Sequence, residues 1–443
     1  MSKEKAIYIC ENCSFESPKW LGQCPECLKW NSFVETLSRV TSSNNSKLGK
    51  NFNTPASVIA LNAIKSKETA RTSTKLAEFD RVLGGGFVQG QVVLLSGEPG
   101  IGKSTVLLQV ASLFENSVIY VCGEESPEQV RLRALRLGIS GQNIQLVNET
   151  DVDKILLTLN TLSKKTIALI IVDSIQTLTT LDLTGGSGSV GQVRECAQRL
   201  ISYVKAVGVP LVLVGHITKD GTIAGPKVLE HMVDTLLYID GDNDHFFRFL
   251  RTSKNRFGPV SEVGIFEMAE GGLKEVLNPS DIFLEERLKS APGSCVTVIM
   301  EGYRPILFEV QALTSRSNFG YPKRTSSGFN ANRLSVLVAV LEKRCNLQLS
   351  DQDVYVNVAG GIKVNEYSCD LAVCLAIYSS VTGKVINPKI AAFGEVGLSG
   401  EVRKVPFMEA RVKEAKKLGF SKIISPLEVR SVKNALDLAF SKE

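Results

Sequence analysis

Apolar residues recur along the chain in short unbroken runs that alternate with longer amphipathic stretches. Four of these runs lie between residues 91 and 216: QVVLLSG, SVIYVCGEE, IALIIVDS and PLVLVGH. Such runs are typical of strands buried on both faces, and the periodic stretches between them are typical of helices. The pattern from 70 to 280 therefore predicts an α/β domain with a parallel sheet covered on both sides.

Two further regions differ from this one. Residues 1–37 are rich in cysteine and contain both tryptophans, and residues 38–69 are rich in Ser, Asn, Thr and Lys, as linkers are. Residues 285–443 have strand patterns of their own, SCVTVIMEG and DVYVNVAGG, together with helical patterns. We expect a small N-terminal module, a linker, the central domain and a separate C-terminal α+β domain.

Composition narrows the class of protein only slightly. The chain has 443 residues, 44% of them hydrophobic and 22% charged, with a formal charge of +5. This mild basicity permits a nucleic-acid partner without demanding one. Because there is no run of 18 apolar residues and no signal-peptide pattern at the start, we expect a cytoplasmic protein. Its clustered cysteines are then better candidates for metal ligands than for disulfides.

The N-terminal cysteines have the spacing of a metal site. They form two CxxC pairs separated by ten residues. Four thiolates suit tetrahedral Zn²⁺, and a site with every position filled by protein is structural. Iron in a rubredoxin-like knuckle is the alternative. We predict a zinc ribbon whose ligands are Cys10, Cys13, Cys24 and Cys27.

The segment GEPGIGKS, residues 97–104, fits the phosphate-binding pattern G-x-x-x-x-G-K-[ST] between a strand pattern and a helix pattern. Its glycines let backbone N–H groups turn toward phosphate oxygens. The lysine is expected to reach the β- and γ-phosphates of ATP, and the serine hydroxyl to ligate Mg²⁺. The predicted nucleotide-binding residues are Gly97, Glu98, Pro99, Gly100, Ile101, Gly102, Lys103, Ser104 and Thr105.

Two strand ends supply carboxylates to the same site. Asp173 ends the run IALIIVD and is expected to hold Mg²⁺ through water. Glu124 and Glu125 end the run SVIYVCGEE, at the edge where ligands of open α/β sheets bind. We favour Glu124 as the base that activates water, with Glu125 as the alternative. One or both could instead cap the helix that starts near Ser126.

Together these segments resemble a known family. The stretches LGGGFVQGQVVLLSGEPGIGKST, GEES, VDSIQT, GHITKDGTIAGPKVLEHMVD and KNRFG, with KWLGQCPEC near the start, are similar to the bacterial DNA repair family RadA, also called Sms. The C-terminal block resembles the proteolytic domain of Lon. The resemblance covers nearly the whole chain apart from the linker.

The resemblance implies a RecA-like ATPase core related to hexameric DnaB-type helicases. Within KNRFG it implies that Lys254 and Arg256 reach the γ-phosphate bound by a neighbouring subunit, as an arginine finger does. It implies that TTLDLTGGSGSVGQVRE and HITKDGTIAGPK face DNA, the first as a mobile loop, with Lys219 and Lys227 as candidate phosphate contacts. His216 is either a nucleotide sensor or a structural histidine.

In the Lon-like block, Ser368 occupies the position of the protease nucleophile. An ungapped alignment puts Glu409 where Lon has its lysine, with Lys404 and Lys413 displaced. A serine without a nearby base is a weak nucleophile, so we expect no proteolysis and interpret Ser368 as a helix N-cap. The basic segment 303–333 could bind DNA, through cations interleaved with aromatic residues: Arg304, Arg316, Phe319, Tyr321, Lys323, Arg324, Phe329 and Arg333.

The leading hypothesis is a ring-shaped ATP-driven motor on single-stranded DNA that promotes branch migration of recombination intermediates alongside RecA. The alternatives are a nucleotide switch that recruits repair partners through the ribbon and, with less support, a Lon-type protease. The motor hypothesis implies a homo-hexamer with ATP, Mg²⁺ and Zn²⁺ as cofactors.

Overall fold

The structure is a computed structural model. The chain forms two compact units. Unit 1 comprises residues 1–260 and 266–275, and unit 2 comprises residues 261–265 and 276–443. The described residues are 5–10, 16–17, 19–26, 28–38, 71–163, 166–216, 226–241, 247–288, 290–317, 320–361, 363–364 and 366–441.

The N-terminal module of unit 1 is a three-stranded antiparallel sheet. Its strands are β1 (Lys5–Cys10), β2 (Glu16–Ser17) and β3 (Phe33–Ser38), in the order β2-β1-β3. Cys10 pairs with Phe33 across β1 and β3, and both are buried together with Cys24. So small a core is typical of a module that is stabilised by a bound metal.

The rest of unit 1 is built on a nine-stranded sheet with the order β12-β11-β10-β9-β4-β8-β7-β5-β6. Strands β9, β4, β8, β7, β5 and β6 run parallel, whereas β10 is antiparallel to β9 and β12 to β11. The strands are β4 (Val92–Gly97), β5 (Ser117–Cys122), β6 (Ile144–Val147), β7 (Ile167–Asp173), β8 (Leu211–His216), β9 (Thr235–Asp240), β10 (Phe247–Asn255), β11 (Val263–Ala269) and β12 (Gly272–Glu275).

Helices cover both faces of the parallel part of this sheet. Alternate residues of β4 belong to opposite core clusters, Val93 and Leu95 to one and Val92 and Leu94 to the other. This explains the continuous apolar run in the sequence, since a strand buried on both faces has no solvent-facing positions. The helices are α1 (Ala77–Leu83), α2 (Lys103–Ser112), α3 (Pro127–Arg136), α4 (Val152–Thr161), α5 (Val190–Val207) and α6 (Pro226–Glu230).

Unit 2 combines a six-stranded mixed sheet, ordered β15-β16-β14-β13-β17-β20, with a two-stranded β18-β19 ribbon. The strands are β13 (Ser294–Glu301), β14 (Arg304–Arg316), β15 (Arg324–Ser327), β16 (Gln352–Val358), β17 (Ile390–Ala392), β18 (Glu395–Val396), β19 (Val402–Arg403) and β20 (Lys422–Ile424). The helices are α7 (Pro279–Glu285), α8 (Ala331–Cys345), α9 (Asp370–Thr382), α10 (Met408–Lys417) and α11 (Val432–Phe440).

No helix among the described residues is both long enough and apolar enough to cross a membrane.

Candidate nucleotide site and its surroundings

The segment from β4 to α2 has the geometry of a phosphate-binding loop. Strand β4 ends at Gly97 and α2 begins at Lys103, with Gly102 as its N-cap at a φ of 112°. A Cβ atom on Gly97 would lie 2.5 Å from the carbonyl oxygen of Ile239 on β9, so only glycine fits there. The amino end of α2, with its unpaired N–H groups and positive dipole, therefore opens at the carboxyl edge of the sheet.

Lys103 lies inside this loop. Its Nζ donates hydrogen bonds to the carbonyl oxygens of Gly97 (2.9 Å) and Glu98 (2.8 Å), and only 4% of the residue is exposed. Burial lowers the pKa of Lys103, and the nearby carboxylates of Asp173 and Glu124 oppose that shift. Both hydrogen-bond acceptors are neutral, so the positive charge remains available to a phosphate.

Asp173 ends β7 near the lysine, at the strand end where the sequence placed it, and its role as a magnesium ligand stays a prediction. It is 7% exposed and accepts a hydrogen bond from the Tyr120 hydroxyl at 2.5 Å. Burial and the adjacent Asp173 carboxylate raise the pKa of Tyr120 well above its ordinary value, so the tyrosine stays a neutral donor. Tyr120 was not predicted from the sequence, although it lies two residues before the end of β5, the strand that pairs with β7.

The two glutamates after β5 have different partners. Glu125 forms an ion pair with Arg133 of α3. Glu124 accepts a hydrogen bond from the buried Ser174 hydroxyl, and its backbone N–H donates to the carbonyl of Asp173 (3.2 Å). Glu124 is thus turned toward the end of β7, where Asp173 lies.

Neither glutamate caps α3. The N-cap is Ser126, whose side chain accepts from the N–H of Gln129, while the Gln129 side chain accepts from the N–H of Ser126. Pro127 occupies the first helical position. The capping interpretation of the glutamates was therefore wrong, because a reciprocal capping box already satisfies this end of the helix.

A cavity of about 380 Å³ adjoins the first turn of α2. Its lining includes Thr105, Arg136, Leu137, Met268 and Glu270. Thr105 directly follows the loop serine, so the cavity lies next to the phosphate-binding loop. Apart from Thr105, these residues were not predicted from the sequence, because they come from the end of α3, from β11 and from the β11–β12 turn, far away in sequence.

Lys254 and Arg256 lie toward the end of the sheet at which the parallel strands begin, whereas the phosphate-binding loop lies at the end where these strands stop. Strand β10 runs antiparallel to β9, and β9 runs parallel to the loop strand β4, so the end of β10 lies where β4 begins. The backbone contacts agree, since the N–H of Arg256 donates to Asp234, whose own N–H donates to Val92. Val92 and Gly97 are roughly 17 Å apart at about 3.3 Å per residue.

Within its own chain, Lys254 contacts backbone oxygens that precede β9. Its Nζ donates to the carbonyls of Glu230 (2.7 Å) and Val233 (2.8 Å). Burial and the neighbouring Arg256 lower the pKa of Lys254, and Asp234 and Glu230 oppose this. The side chain of Arg256 is 60% exposed and lies 3.6 Å from Asp234.

The N-terminal module brings two of the four predicted metal ligands together. Cys10 and Cys24 are fully buried in one cluster. The chain turns after Cys24, where the N–H of Leu28 donates to its carbonyl at 2.9 Å and Leu28 takes a φ of 58°. Cys13 and Cys27 lie outside the described residues.

Of the two segments implied to face DNA, one is described. Residues 179–189 are tied to α5, because the buried Gln192 side chain donates to the carbonyls of Thr180 (3.0 Å) and Leu183 (2.8 Å). Between these two carbonyls, the Leu181 side chain is 91% exposed. The side chains of His216, Lys219 and Lys227 lie outside the described residues.

Ser368 in unit 2 is not a helix N-cap. It lies in a short 3-10 helix, Tyr367–Cys369, and α9 begins two residues later with Cys369 as N-cap and no capping side chain. The Ser368 hydroxyl is buried and donates to Glu366 at 2.6 Å. The N-cap prediction was wrong because the serine contacts another element of the unit.

That element is α10, and its contribution is Arg411. The Arg411 guanidinium donates to Ser368 at 3.0 Å, to both oxygens of Glu366 (2.8 and 2.7 Å) and to the carbonyl of Pro406 at 3.0 Å. The aligned Glu409 is exposed, as are Lys404 and Lys413. Placing Glu409 opposite the serine was therefore wrong, since α10 turns Arg411 inward. Arginine stays protonated and cannot act as a general base.

The basic segment 303–333 is only partly available to a ligand. Arg333 forms an ion pair with the buried Asp370, Phe329 is 9% exposed, and Arg324 donates to the carbonyl of Leu349 at 2.9 Å. Tyr321 is 88% exposed, and the Arg316 side chain is 84% exposed. Phe319 lies outside the described residues.

Three family models match parts of the chain. The rubredoxin metal binding domain matches residues 8–35, the KaiC ATPase family matches 72–149, and subunit ChlI of Mg-chelatase matches 330–429. Among solved structures, a KaiC-like protein from Pyrococcus horikoshii OT3 has a TM-score of 0.40 at 22% identity, covering 47% of this chain and 99% of that one. The RadB recombinase has a TM-score of 0.38 at 23% identity, covering 46% and 99%.

The sheet order, the phosphate-binding loop and the KaiC match define the class as a RecA-like P-loop ATPase with an N-terminal metal-binding ribbon. The DNA repair protein RadA of Bacillus subtilis (strain 168) is 49% identical over 430 residues, covering 96% of this chain and 93% of its own. RadA of Halalkalibacterium halodurans is 45% identical over 433 residues, with the same coverage. The chain therefore belongs to the RadA family of DNA repair proteins.

Proposed function

We propose that this chain is a DNA-dependent ATPase of recombinational repair that assembles into a ring, as a homo-hexamer, and moves single-stranded DNA. In this proposal hydrolysis drives branch migration of recombination intermediates together with RecA, in the cytoplasm where the bacterial chromosome lies. Membership of the RadA family supports the repair role.

The position of Lys254 and Arg256 carries the proposal of a ring. Both residues belong to the edge of the sheet where β4 begins, whereas the phosphate-binding loop follows the other end of β4. A side chain at one edge cannot reach a nucleotide at the other edge across the length of β4. If Lys254 and Arg256 act on a γ-phosphate, that nucleotide is therefore bound by another copy of the chain.

The residues at the carboxyl edge fit ATP with Mg²⁺. Lys103 is a buried cation whose described hydrogen-bond acceptors are neutral carbonyls, and Gly97 leaves room that a Cβ atom would fill. Ser104 and Asp173 would hold Mg²⁺, which supplies charge neutralisation on the phosphates. Glu124 would orient and deprotonate the attacking water, with Ser174 holding one of its oxygens. The adjoining cavity would receive the adenine of ATP.

For the ribbon we propose Zn²⁺, held by Cys10, Cys13, Cys24 and Cys27. The burial of Cys10 and Cys24 in one cluster supports a shared ligand. Metal analysis of the purified chain tests this, with one zinc per chain and no iron expected. A red, iron-containing protein from cells grown with both metals would refute the assignment.

The decisive experiment is the steady-state ATPase rate with and without single-stranded DNA, for the wild type and Lys254→Ala. We expect strong stimulation by DNA in the wild type, and loss of that stimulation in the variant while nucleotide still binds. Equal rates with and without DNA would contradict the motor and favour the nucleotide switch that recruits partners.

A further inference from the structure

The carboxylate of Asp234 lies near Lys254 and Arg256, at the end of the sheet where β4 begins. The residue is 4% exposed and directly precedes β9. One of its oxygens accepts from the N–H of Val92 at 3.0 Å and from the Nζ of Lys205, which lies on α5. The other oxygen lies 3.6 Å from a terminal nitrogen of Arg256. Asp234 is thus fixed to the sheet on one side and faces Arg256 on the other.

The rest of the motif is also held by its own chain. The buried Asn255 donates to the carbonyl of Leu83 at 3.2 Å and accepts from the N–H of Phe257 at 3.0 Å. The carbonyl of Phe257 accepts from Arg71, whose guanidinium also donates to the carbonyls of Leu83 and Gly86. The backbone on both sides of Arg256 is therefore anchored, while its side chain remains the exposed part.

We propose that Asp234, held in place by Lys205, is a positioning residue that aims the Arg256 guanidinium at the nucleotide of a neighbouring copy. This inference rests on the proposed ring. The 3.6 Å contact is longer than a hydrogen bond, so it restrains the direction of Arg256 and leaves its donors available to a phosphate. Lys205 keeps the carboxylate from closing onto Arg256 as a tight ion pair.

The direction of the expected effect follows from this geometry. Without the charge of Asp234, the exposed arginine samples many rotamers, and a finger that is misplaced by about 1 Å costs on the order of a hundredfold in rate. Without Lys205, Asp234 is free to pair with Arg256 and sequester it. Both changes leave the carboxyl edge of the same subunit intact, so the defect appears only in the neighbour's site.

Subunit mixing tests this. One partner, Arg256→Ala, has an intact nucleotide site but no finger, and the other, Lys103→Ala, has a finger but no active site. Coexpressed, they should recover part of the ATPase activity that each lacks alone. We expect a finger donor that carries Asp234→Asn as well as Lys103→Ala to restore roughly tenfold to a hundredfold less activity. The matched donor carries Glu401→Gln, which removes a carboxylate of unit 2 that pairs with Arg403 at 2.6 Å.

The outcomes separate the inference from the proposed function. If the Arg256→Ala and Lys103→Ala partners recover no activity, the trans finger itself is refuted. If they recover activity and the Asp234→Asn donor is as good as the Glu401→Gln donor, the positioning role of Asp234 is overturned. If Asp234→Asn does not fold, a donor that carries Lys205→Gln together with Lys103→Ala is used instead, because the Lys205 side chain is half-exposed. Full rescue by that donor would also overturn the inference.

Discussion

Lys103 and Arg411 are both buried cations next to a polar cluster, but they are satisfied in opposite ways. The described hydrogen bonds of Lys103 go to two neutral carbonyls. Arg411 forms a two-pronged pair with Glu366 and also donates to Ser368 and to the carbonyls of Val298 and Pro406. Removing a cation that is paired within its own fold leaves a carboxylate unpaired and so destabilises the fold, whereas a cation that is held by neutral acceptors keeps its charge for a ligand.

The largest expected effect is that of Lys103→Ala. It removes the charge that faces the phosphates, so we expect ATP hydrolysis to fall by about a thousandfold or more. The steady-state ATPase rate with DNA measures this. Lys75→Ala is the matched control, because that lysine pairs with Glu115 on the surface at 2.9 Å and should leave the rate unchanged. Similar rates for the two variants would show that the charge of Lys103 is not kept for the phosphates.

Arg411→Met tests whether the paired cation holds unit 2 together. It leaves the carboxylate of Glu366 without its partner, and we expect the free energy of unfolding to drop by about 3 kcal/mol. Hydrogen exchange of α10 and residues 366–370 measures the effect in the full chain. Arg403→Met, which breaks an exposed pair with Glu401, should cost under about 1 kcal/mol. Equal exchange in both variants would show that Arg411 does not hold unit 2 together.

Glu124→Gln sharpens the assignment of roles at the nucleotide site. Loss of the base should lower kcat roughly a hundredfold while ATP binding stays nearly unchanged. Glu125→Gln is the control, since it breaks only the pair with Arg133 and should keep most of the activity. A larger loss of kcat in Glu125→Gln would reverse the assignment.

The smallest expected effect is that of Ser368→Ala. Removing one buried hydroxyl should cost about 1 kcal/mol of stability and leave ATP hydrolysis unchanged. Casein degradation by the wild type, measured alongside, should be undetectable, because the carboxylate that contacts the serine, Glu366, is already paired with Arg411. A peptidase activity that disappears in Ser368→Ala would contradict the interpretation of the cluster.

The nucleotide site could be predicted almost entirely from local sequence. The residues 97–105 form strand end, loop and helix start in one continuous stretch, so their spacing alone places them. Asp173 and Glu124 followed from the same logic, because parallel strands bring their carboxyl ends to one edge. Their roles in catalysis stay predictions.

The sequence also contained a signal for Arg411 that went unused. Met408, Arg411, Val412 and Ala415 have the spacing of one face of a helix, and all four are at least partly buried. An alignment by position placed Glu409 there instead, because such an alignment does not take into account which face of the helix turns inward.

What the sequence by itself determined is the metal-ligand spacing, the phosphate-binding loop and the layered α/β architecture, since each depends on residues close together in the chain. Only the tertiary structure decided that Arg411 meets Ser368, that Asp234 faces Arg256, and that Lys254 lies at the edge away from the loop. The last point depends on β10 running antiparallel to β9. The direction of a strand within a sheet comes from long-range pairing, which hydrophobic periodicity does not encode.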